Sequence, residues 1–218
     1  METVIGNLID ICAVSMLLAS ILSMTAVRMK PLIRLFSIQS LFLGAMAAII
    51  AYSSGNSHIY IMCGLTVVIK GFLIPKILLH VLQRVESDDE TSLSLGVPGS
   101  LLVSAGLVVL SYFITEPLIS TLATLERNCL AFSLSVVLIG LSTMVVRRKA
   151  ISEVIGLLMI ENGLFLGALA LSHGMPLIVE IGAFFDILMA LIIIGVFILR
   201  INRSFHSMDV DNLRRLKE

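Results

Sequence analysis

Long apolar runs separated by short polar joints dominate this chain. A helix needs about 20 mainly apolar residues to cross the hydrocarbon core of a bilayer, and each run has about that length. Runs of this kind with short connections are typical of a bundle of membrane-spanning helices. The pattern predicts seven spans, at roughly 4–26, 32–52, 59–82, 97–114, 129–146, 151–172 and 176–199.

The composition agrees with that interpretation. Hydrophobic residues make up 58% of the 218 residues and charged residues 14%, which is far too apolar for a soluble domain. No basic region precedes the first run, and Asn7 and Asp10 interrupt its start, so we expect a retained helix and not a cleaved signal. The sequence therefore predicts an all-α polytopic membrane protein, with one transmembrane domain over 1–204 and a cytoplasmic tail over 205–218.

The basic residues predict the orientation of the chain. In a seven-span arrangement, only Arg127 of the fifteen basic residues lies in a joint on the outer side. Lys70 and Lys76 lie within the third span. Cytoplasmic joints carry an excess of Lys and Arg, so the N-terminus is expected outside and the C-terminus inside. The other twelve basic residues all fall on the inner side of a seven-span arrangement: Arg28, Lys30, Arg34, Arg84, Arg147, Arg148, Lys149, Arg200, Arg203, Arg214, Arg215 and Lys217.

Motifs for cofactors or bond chemistry are missing from the sequence. The three cysteines, Cys12, Cys63 and Cys129, are isolated, and there is no Cys-x-x-Cys pair or histidine cluster. There is also no phosphate-binding glycine loop and no Gly-x-Ser-x-Gly elbow. We expect no cofactor, no metal, no active site of its own and no nucleic-acid partner.

Three ionisable residues are predicted near the middle of the membrane. At 1.5 Å per residue, Glu161 lies roughly 16 Å from the inner end of the sixth span, about halfway across a core of about 30 Å. Asp186 lies roughly 15 Å from the outer end of the seventh span, and Lys70 of the third span comes out at about the same depth. Spans six and seven are joined by a short turn, so the two carboxylates are expected on antiparallel neighbours.

Such residues need a reason to be there. A charge at the bilayer centre costs at least about 2.5–3.5 kcal/mol. One interpretation is a proton relay, in which Glu161 and Asp186 exchange protons and Lys70 shifts the balance between them. The other is a structural ion pair between Lys70 and either carboxylate, which would pin helices together. The residues alone leave both interpretations open.

Other polar residues are secondary candidates. Asp10 and Glu180 lie one to two turns from the outer surface, where an interfacial role is expected. Pro75 has no N–H to offer the carbonyl of Gly71, so the third span is expected to kink beside Lys70.

A short internal match suggests a repeat. "LFLGAMA" at 41–47 and "LFLGALA" at 164–170 agree in six of seven positions and enter their spans in the same direction. Two explanations remain, a parallel repeat or chance similarity between apolar helices. The second copy also contains Gly163 and Gly167, one heptad after Gly156, and this spacing favours close helix packing.

Four motifs carry a resemblance to a known family. "MIENGLFL", "PLIVEIGAFFDILMALIIIGV", "VIKGFLIPKIL" and "MDVDNLRRLKE" together resemble the E subunit of hydrogenase-4. The resemblance implies a non-catalytic subunit of a complex I-like energy-converting hydrogenase or formate hydrogenlyase in a prokaryotic inner membrane. Its partners would be antiporter-like and other membrane subunits, a peripheral hydrogenase arm and lipid. Glu161, Asn162, Glu180 and Asp186 lie in its most specific motifs.

The last three spans are also similar to the K subunit of complex I and the C subunit of Mrp-type antiporters. In the K subunit a carboxylate follows Gly-Leu directly, whereas here Leu158 follows and the charge reappears at Glu161. Asp186 matches the position of the second carboxylate of the K subunit, with no shift along the sequence. A subunit of a Mrp-type antiporter assembly and a purely structural assembly subunit therefore remain alternatives. The choice of H⁺ or Na⁺, the attached enzyme and the direction of flux stay open.

Overall fold

The computed structural model describes residues 2–54, 57–84, 95–117, 124–147 and 149–172, and these are helical without any strand. The predicted seventh span, with Glu180 and Asp186, and the tail lie outside the described residues. The helices are α1 (Glu2–Thr25), α2 (Met29–Ser54), α3 (Ser57–Thr66), a π-helical segment (Val67–Leu73), α4 (Ile74–Arg84), α5 (Gly96–Thr115), α6 (Thr124–Val146) and α7 (Ala150–Ser172).

Six stretches of this described part are long and apolar enough to cross a membrane. The prediction of an all-α polytopic membrane protein is confirmed, with α3, the π-helical segment and α4 forming the third span. The orientation, the seventh span, the domain bounds and the cytoplasmic tail stay predictions. The six stretches are Val4–Thr25, Met29–Ser53, Cys63–Gln83, Gly96–Thr115, Asn128–Val146 and Ile151–Leu169.

Helices α1, α2, α6 and α7 form the centre of the bundle. Their buried apolar residues separate into two clusters along the helix axes, one around Met46 and Leu166 and one around Phe36 and Met159. The polar side chain of Asn162 lies at a sequence position between the two. The bundle therefore has a polar layer between two apolar ones.

Helix α5 presents its polar residues to the protein and its apolar residues outward. Ser104 is buried and donates to the carbonyl of Ser100, four residues earlier, and Ser111 likewise donates to Leu107. Leu102 and Phe113 are exposed on the other face. This arrangement suits lipid, because hydroxyl groups bonded within their own helix leave no unsatisfied donor in hydrocarbon.

Helices α6 and α7 pack with their backbones in close approach. A methyl group added at Gly156 would lie 2.9 Å from the carbonyl oxygen of Gly140, and one at Gly163 would lie 3.0 Å from that of Ser133. The Ser133 hydroxyl donates to the Gly163 carbonyl at 2.7 Å, and a methyl group at Gly167 would meet the same hydroxyl. The prediction that the glycine spacing marks close packing is confirmed.

Arg147 has a second role beside the predicted topological one. Its side chain is 1% exposed, and Nη2 donates to the carbonyls of Ser23 and Ala26 at 2.7 Å and of Met24 at 3.1 Å. These carbonyls end α1, where a cation also complements the helix dipole. Burial lowers the pKa of Arg147 to about 10, so the guanidinium stays protonated at neutral pH. Arg147 therefore joins α6 to the end of α1.

We expect Arg147→Met to lower the free energy of unfolding by about 1.5–3 kcal/mol, the scale of a charge-assisted hydrogen bond. Thermal unfolding of the purified chain in detergent measures the loss. Arg28→Met is the matched control, because Arg28 is an exposed basic residue of the joint before α2. Equal losses in the two variants would show that the bonds to α1 contribute nothing beyond positive charge.

Candidate functional site

The third span contains an irregular turn at its centre. Residues Val67–Leu73 are π-helical, and the N–H of Ile74 donates to the carbonyl of Ile69, five residues earlier. Pro75 follows directly and has no N–H to donate. π-Helical turns are rare and frequently lie at functional sites. Lys70 is at the middle of this segment.

The π-helical segment is also hydrogen-bonded to α2. The hydroxyl of Ser37 in α2 donates to the carbonyl of Gly71 at 2.5 Å. A methyl group at Gly71 would lie 3.1 Å from the Leu41 side chain, so α2 runs close to this turn. The third span thus has a π-helical turn, bonded to α2, at the place where a kink beside Lys70 is predicted, and the kink itself stays a prediction.

Lys70 and Glu161 form an ion pair in the middle of two spans. Nζ of Lys70 lies 3.3 Å from Oε2 of Glu161, and the two side chains are 1% and 12% exposed. Glu161 is the twelfth of the 23 residues of α7, and Lys70 is central in the third span. Two residues 91 positions apart therefore meet, as is expected of residues for which the helical rise predicts the same depth.

The attraction between the two charges of the pair is close in size to the cost of placing both charges in the membrane. Two unit charges 3.3 Å apart attract by about 5 kcal/mol at an effective dielectric constant of about 20. Placing two charges at the bilayer centre costs roughly 5–7 kcal/mol on the lenient insertion scale. The attraction offsets most of that cost, so the two charges are tolerated together far better than either would be alone. The pair also places a proton donor beside a proton acceptor.

A chain of hydrogen bonds begins at the residue after Glu161. Nδ2 of Asn162 in α7 donates to the hydroxyl of Ser40 at 3.1 Å and to Oε1 of Gln39 at 3.4 Å. Nε2 of Gln39 donates to the hydroxyl of Ser20 at 2.7 Å, which donates to the carbonyl of Met16 at 2.8 Å. Every donor points from α7 through α2 to α1. The chain fixes the rotation of α7 and so the direction in which Glu161 points.

Sequence reasoning singled out Asn162 and missed its partners. Gln39 carried a usable signal, because it lies ten residues into α2, at roughly 15 Å, which is the depth estimated for Glu161. Ser20 and Ser40 gave no signal, since serine is common in membrane helices and usually bonds to its own helix.

Among the remaining predicted carboxylates, Asp10 alone lies within the described residues. Asp10 lies in the first half of α1, and its buried Oδ1 has no hydrogen-bond partner among the described residues. Asp186 and Glu180 lie beyond the described part, so the proximity of Asp186 to Glu161 and the interfacial role of Glu180 stay predictions. Within the ranges that the structure describes, no group of three or more His, Cys, Asp or Glu side chains is placed to hold a metal ion.

Comparison with known proteins gives relatives but no family model and no solved structure that matches. The chain is 27% identical over 182 residues to hydrogenase-4 component E of Escherichia coli, and the match covers 84% of each protein. The same values hold for hydrogenase-4 component E of Shigella flexneri. The resemblance to the E subunit of hydrogenase-4 that the four motifs indicate is therefore supported by 27% identity over most of both chains.

A further relative matches over almost the full length. The chain is 32% identical over 213 residues to the uncharacterized protein Rv0085 of Mycobacterium tuberculosis, and the match covers 97% of this chain and 96% of that protein. Identity at this level over nearly the whole of both proteins shows common descent. The chain belongs to the same family as Rv0085.

Proposed function

We propose that the chain is a membrane subunit of a hydrogenase complex, and that Lys70, Glu161 and Asp186 carry protons across the middle of the membrane. The observation that carries the proposal is the ion pair between Lys70 and Glu161 at the centre of two spans. The similarity to hydrogenase-4 component E supports the choice of complex. The subunit is non-catalytic and holds no cofactor; redox chemistry elsewhere in the complex drives the movement.

The proposed relay depends on the attraction between Lys70 and Glu161, which is close in size to the cost of burying the two charges. A proton that reaches Glu161 neutralises the carboxylate and removes its attraction for the Lys70 ammonium. Lys70 then favours ionisation of another acid, and Asp186 is the proposed acid, which releases its proton to the next acceptor along the path. The amide of Asn162 cannot exchange a proton at neutral pH. Its role in the proposal is to hold α7 in register with the third span.

Protons suit the pair better than sodium ions. An ammonium group offers three donors and no acceptor, whereas hard cations are bound by several oxygen ligands. A lysine directly beside the carboxylate disfavours a bound metal cation by repulsion. We therefore assign H⁺ as the transported ion.

The proposal includes an orientation and neighbours. The single transmembrane domain spans 1–204 of a prokaryotic inner-membrane protein, with the N-terminus outside and the tail 205–218 in the cytoplasm. Antiporter-like and other membrane subunits flank it, a peripheral hydrogenase arm binds the complex, and lipid covers the rest. Formate hydrogenlyase is one complex of this kind.

A second candidate is a purely structural subunit, in the same complex or in a Mrp-type antiporter assembly. The observation in its favour is that the same ion pair and the Asn162 hydrogen bonds tie α7 to the third span and to α2. This candidate predicts that neutral replacements alter assembly and leave ion movement unchanged.

The deciding experiment is Glu161→Gln in the native complex, purified with its subunits identified and reconstituted in vesicles. We expect intact assembly and measurable redox activity, with the proton gradient reduced at least tenfold, because an amide keeps the shape but cannot release a proton. Asp186→Asn is expected to act in the same way. Glu153→Gln is the matched control, since Glu153 is an exposed carboxylate two turns earlier on α7. A normal gradient in an intact Glu161→Gln complex would rule out the relay, and loss of subunits with an unchanged gradient per intact complex would favour the structural role.

A further inference from the structure

The two matching heptapeptides belong to a larger repeat. They lie 123 positions apart, and the same offset applied to α1 and α2 gives 125–148 and 152–177. Helices α6 (Thr124–Val146) and α7 (Ala150–Ser172) begin within two residues of those positions. The hairpin α1–α2, with helices of 24 and 26 residues, therefore resembles the hairpin α6–α7, with two helices of 23 residues, and both have a connection of three residues.

Contacts between the hairpins join residues at equivalent positions. Ser152 donates to the sulfur of Met29, and Asn162 donates to Gln39; each pair is 123 positions apart. Hydrogen bonds within the hairpins are equivalent as well. The Ser20 hydroxyl donates to the carbonyl of Met16, and the Thr143 hydroxyl, 123 positions later, donates to that of Ile139, both at 2.8 Å.

These contacts define an approximate two-fold axis. In a two-fold arrangement only residues beside the axis meet their own equivalents. Met29 and Gln39 both do so and are ten residues apart, or roughly 15 Å along α2. The axis therefore runs parallel to α2 and α7, along the membrane normal.

The third span covers one side of this arrangement. The π-helical segment contacts Leu41 of its own hairpin through Gly71 and Glu161 of the other hairpin through Lys70. The positions equivalent to Leu41 and Glu161 are Leu164 and Ile38. These two side chains are 61% and 43% exposed within the described part of the chain.

We infer that the chain is a duplicated three-span unit, and that its own seventh span, at 176–199, docks on the face formed by Leu164 and Ile38. The occupant follows from the repeat: the second hairpin is followed by one more apolar run, as the first hairpin is followed by the third span. The docking places the seventh span against both hairpins.

The surface covered by the third span and the equivalent surface proposed for the seventh span differ in charge. The first contains Glu161, and the second contains Ile38 at the equivalent position. At these equivalent positions the duplicated unit therefore carries an acid with a buried ion pair on one side of its axis and an apolar residue on the other. If the proposed function is right, one path crosses each subunit, and duplication has not produced a second.

The chain has no tryptophan, so a single Trp reports on one position. We would place Ile38→Trp, Leu164→Trp or Leu102→Trp in the full chain and quench its fluorescence with brominated lipid in vesicles. Quenching of Ile38→Trp and Leu164→Trp is expected at less than half of that for Leu102→Trp, which lies on the outward face of α5. Quenching equal to Leu102→Trp at either site would overturn the docking.

Cysteine cross-linking identifies the occupant. Cysteines at positions 38 and 164, each combined with a second cysteine scanned through 181–196, are expected to form disulfides within one chain. Position 41 combined with a scan of 67–72 is the positive control, and position 145, on the exposed Val145 of α6, is the negative control. Cross-links from 164 without any from 38, or disulfides only between two copies, would contradict the inference. Neither experiment depends on proton movement, so the proposed function can fail while this inference stands.

Discussion

Lys70→Met is expected to destabilise the protein by about 3–5 kcal/mol, the usual loss when one partner of a buried ion pair is removed. The carboxylate of Glu161 is left in the middle of the bundle with its cation gone, while Lys70 itself is replaced by an apolar side chain of similar length. Thermal unfolding in detergent measures the loss, and proton pumping by the reconstituted complex is expected to fall with it.

The double variant Lys70→Met, Glu161→Gln separates stability from transport. Replacing both charges by neutral groups of similar volume is expected to recover most of the lost stability, because the cost of burying charge disappears from both sides. Proton movement is expected to stay abolished. A double variant as unstable as the sum of the two single variants would show that Lys70 and Glu161 act independently, contrary to the observed contact.

Gly156→Ala and Gly140→Ala are expected to destabilise the chain by about 3 kcal/mol each, at the upper end of the range for overpacking. An added methyl group would lie 2.9 Å from a carbonyl oxygen of the facing helix in both cases. Backbone atoms cannot turn aside, so α6 and α7 must separate. Unfolding in detergent and retention of the chain in the purified complex are the measurements.

Gly106→Ala is the control for the glycine variants. A methyl group there has no neighbour within 4 Å, so only the helix propensity changes, in favour of Ala by up to about 1 kcal/mol. Losses of equal size in all three variants would mean that membrane insertion, and not the packing of α6 on α7, is affected.

The depth of the ion pair could be predicted from the sequence, and its partner could not. The rise per residue is fixed in a helix, so counting from the span ends places Lys70 and Glu161 at one level. Rotation about the helix axis depends on packing, here on the Asn162 amide and the glycine contacts between α6 and α7. Counting therefore left Glu161 and Asp186 equally suitable as partners of Lys70.

Hydrogen bonds from side chains to distant backbone carbonyls could not be predicted from the sequence. The Ser37 hydroxyl bonds to the carbonyl of Gly71, 34 positions away, and neither residue indicates the other. Arg147 resembled any basic residue of a cytoplasmic joint. The heptapeptide match pointed to the repeat in one helix of each hairpin, whereas the extension to α1 and α6 required the contacts across the axis.

The bonds from Arg147 to the end of α1 also set an order for biogenesis. The hydrogen bond between Gln39 and Ser20 joins residues 19 positions apart and is available as soon as the first hairpin has left the ribosome. Arg147 is separated from its acceptors by 121 to 124 positions, which at about 5–20 residues per second is a delay of roughly 6–25 s. During that interval water or lipid headgroups must solvate the end of α1. A chain interrupted before α6 therefore keeps those carbonyls without their guanidinium partner and dependent on solvation.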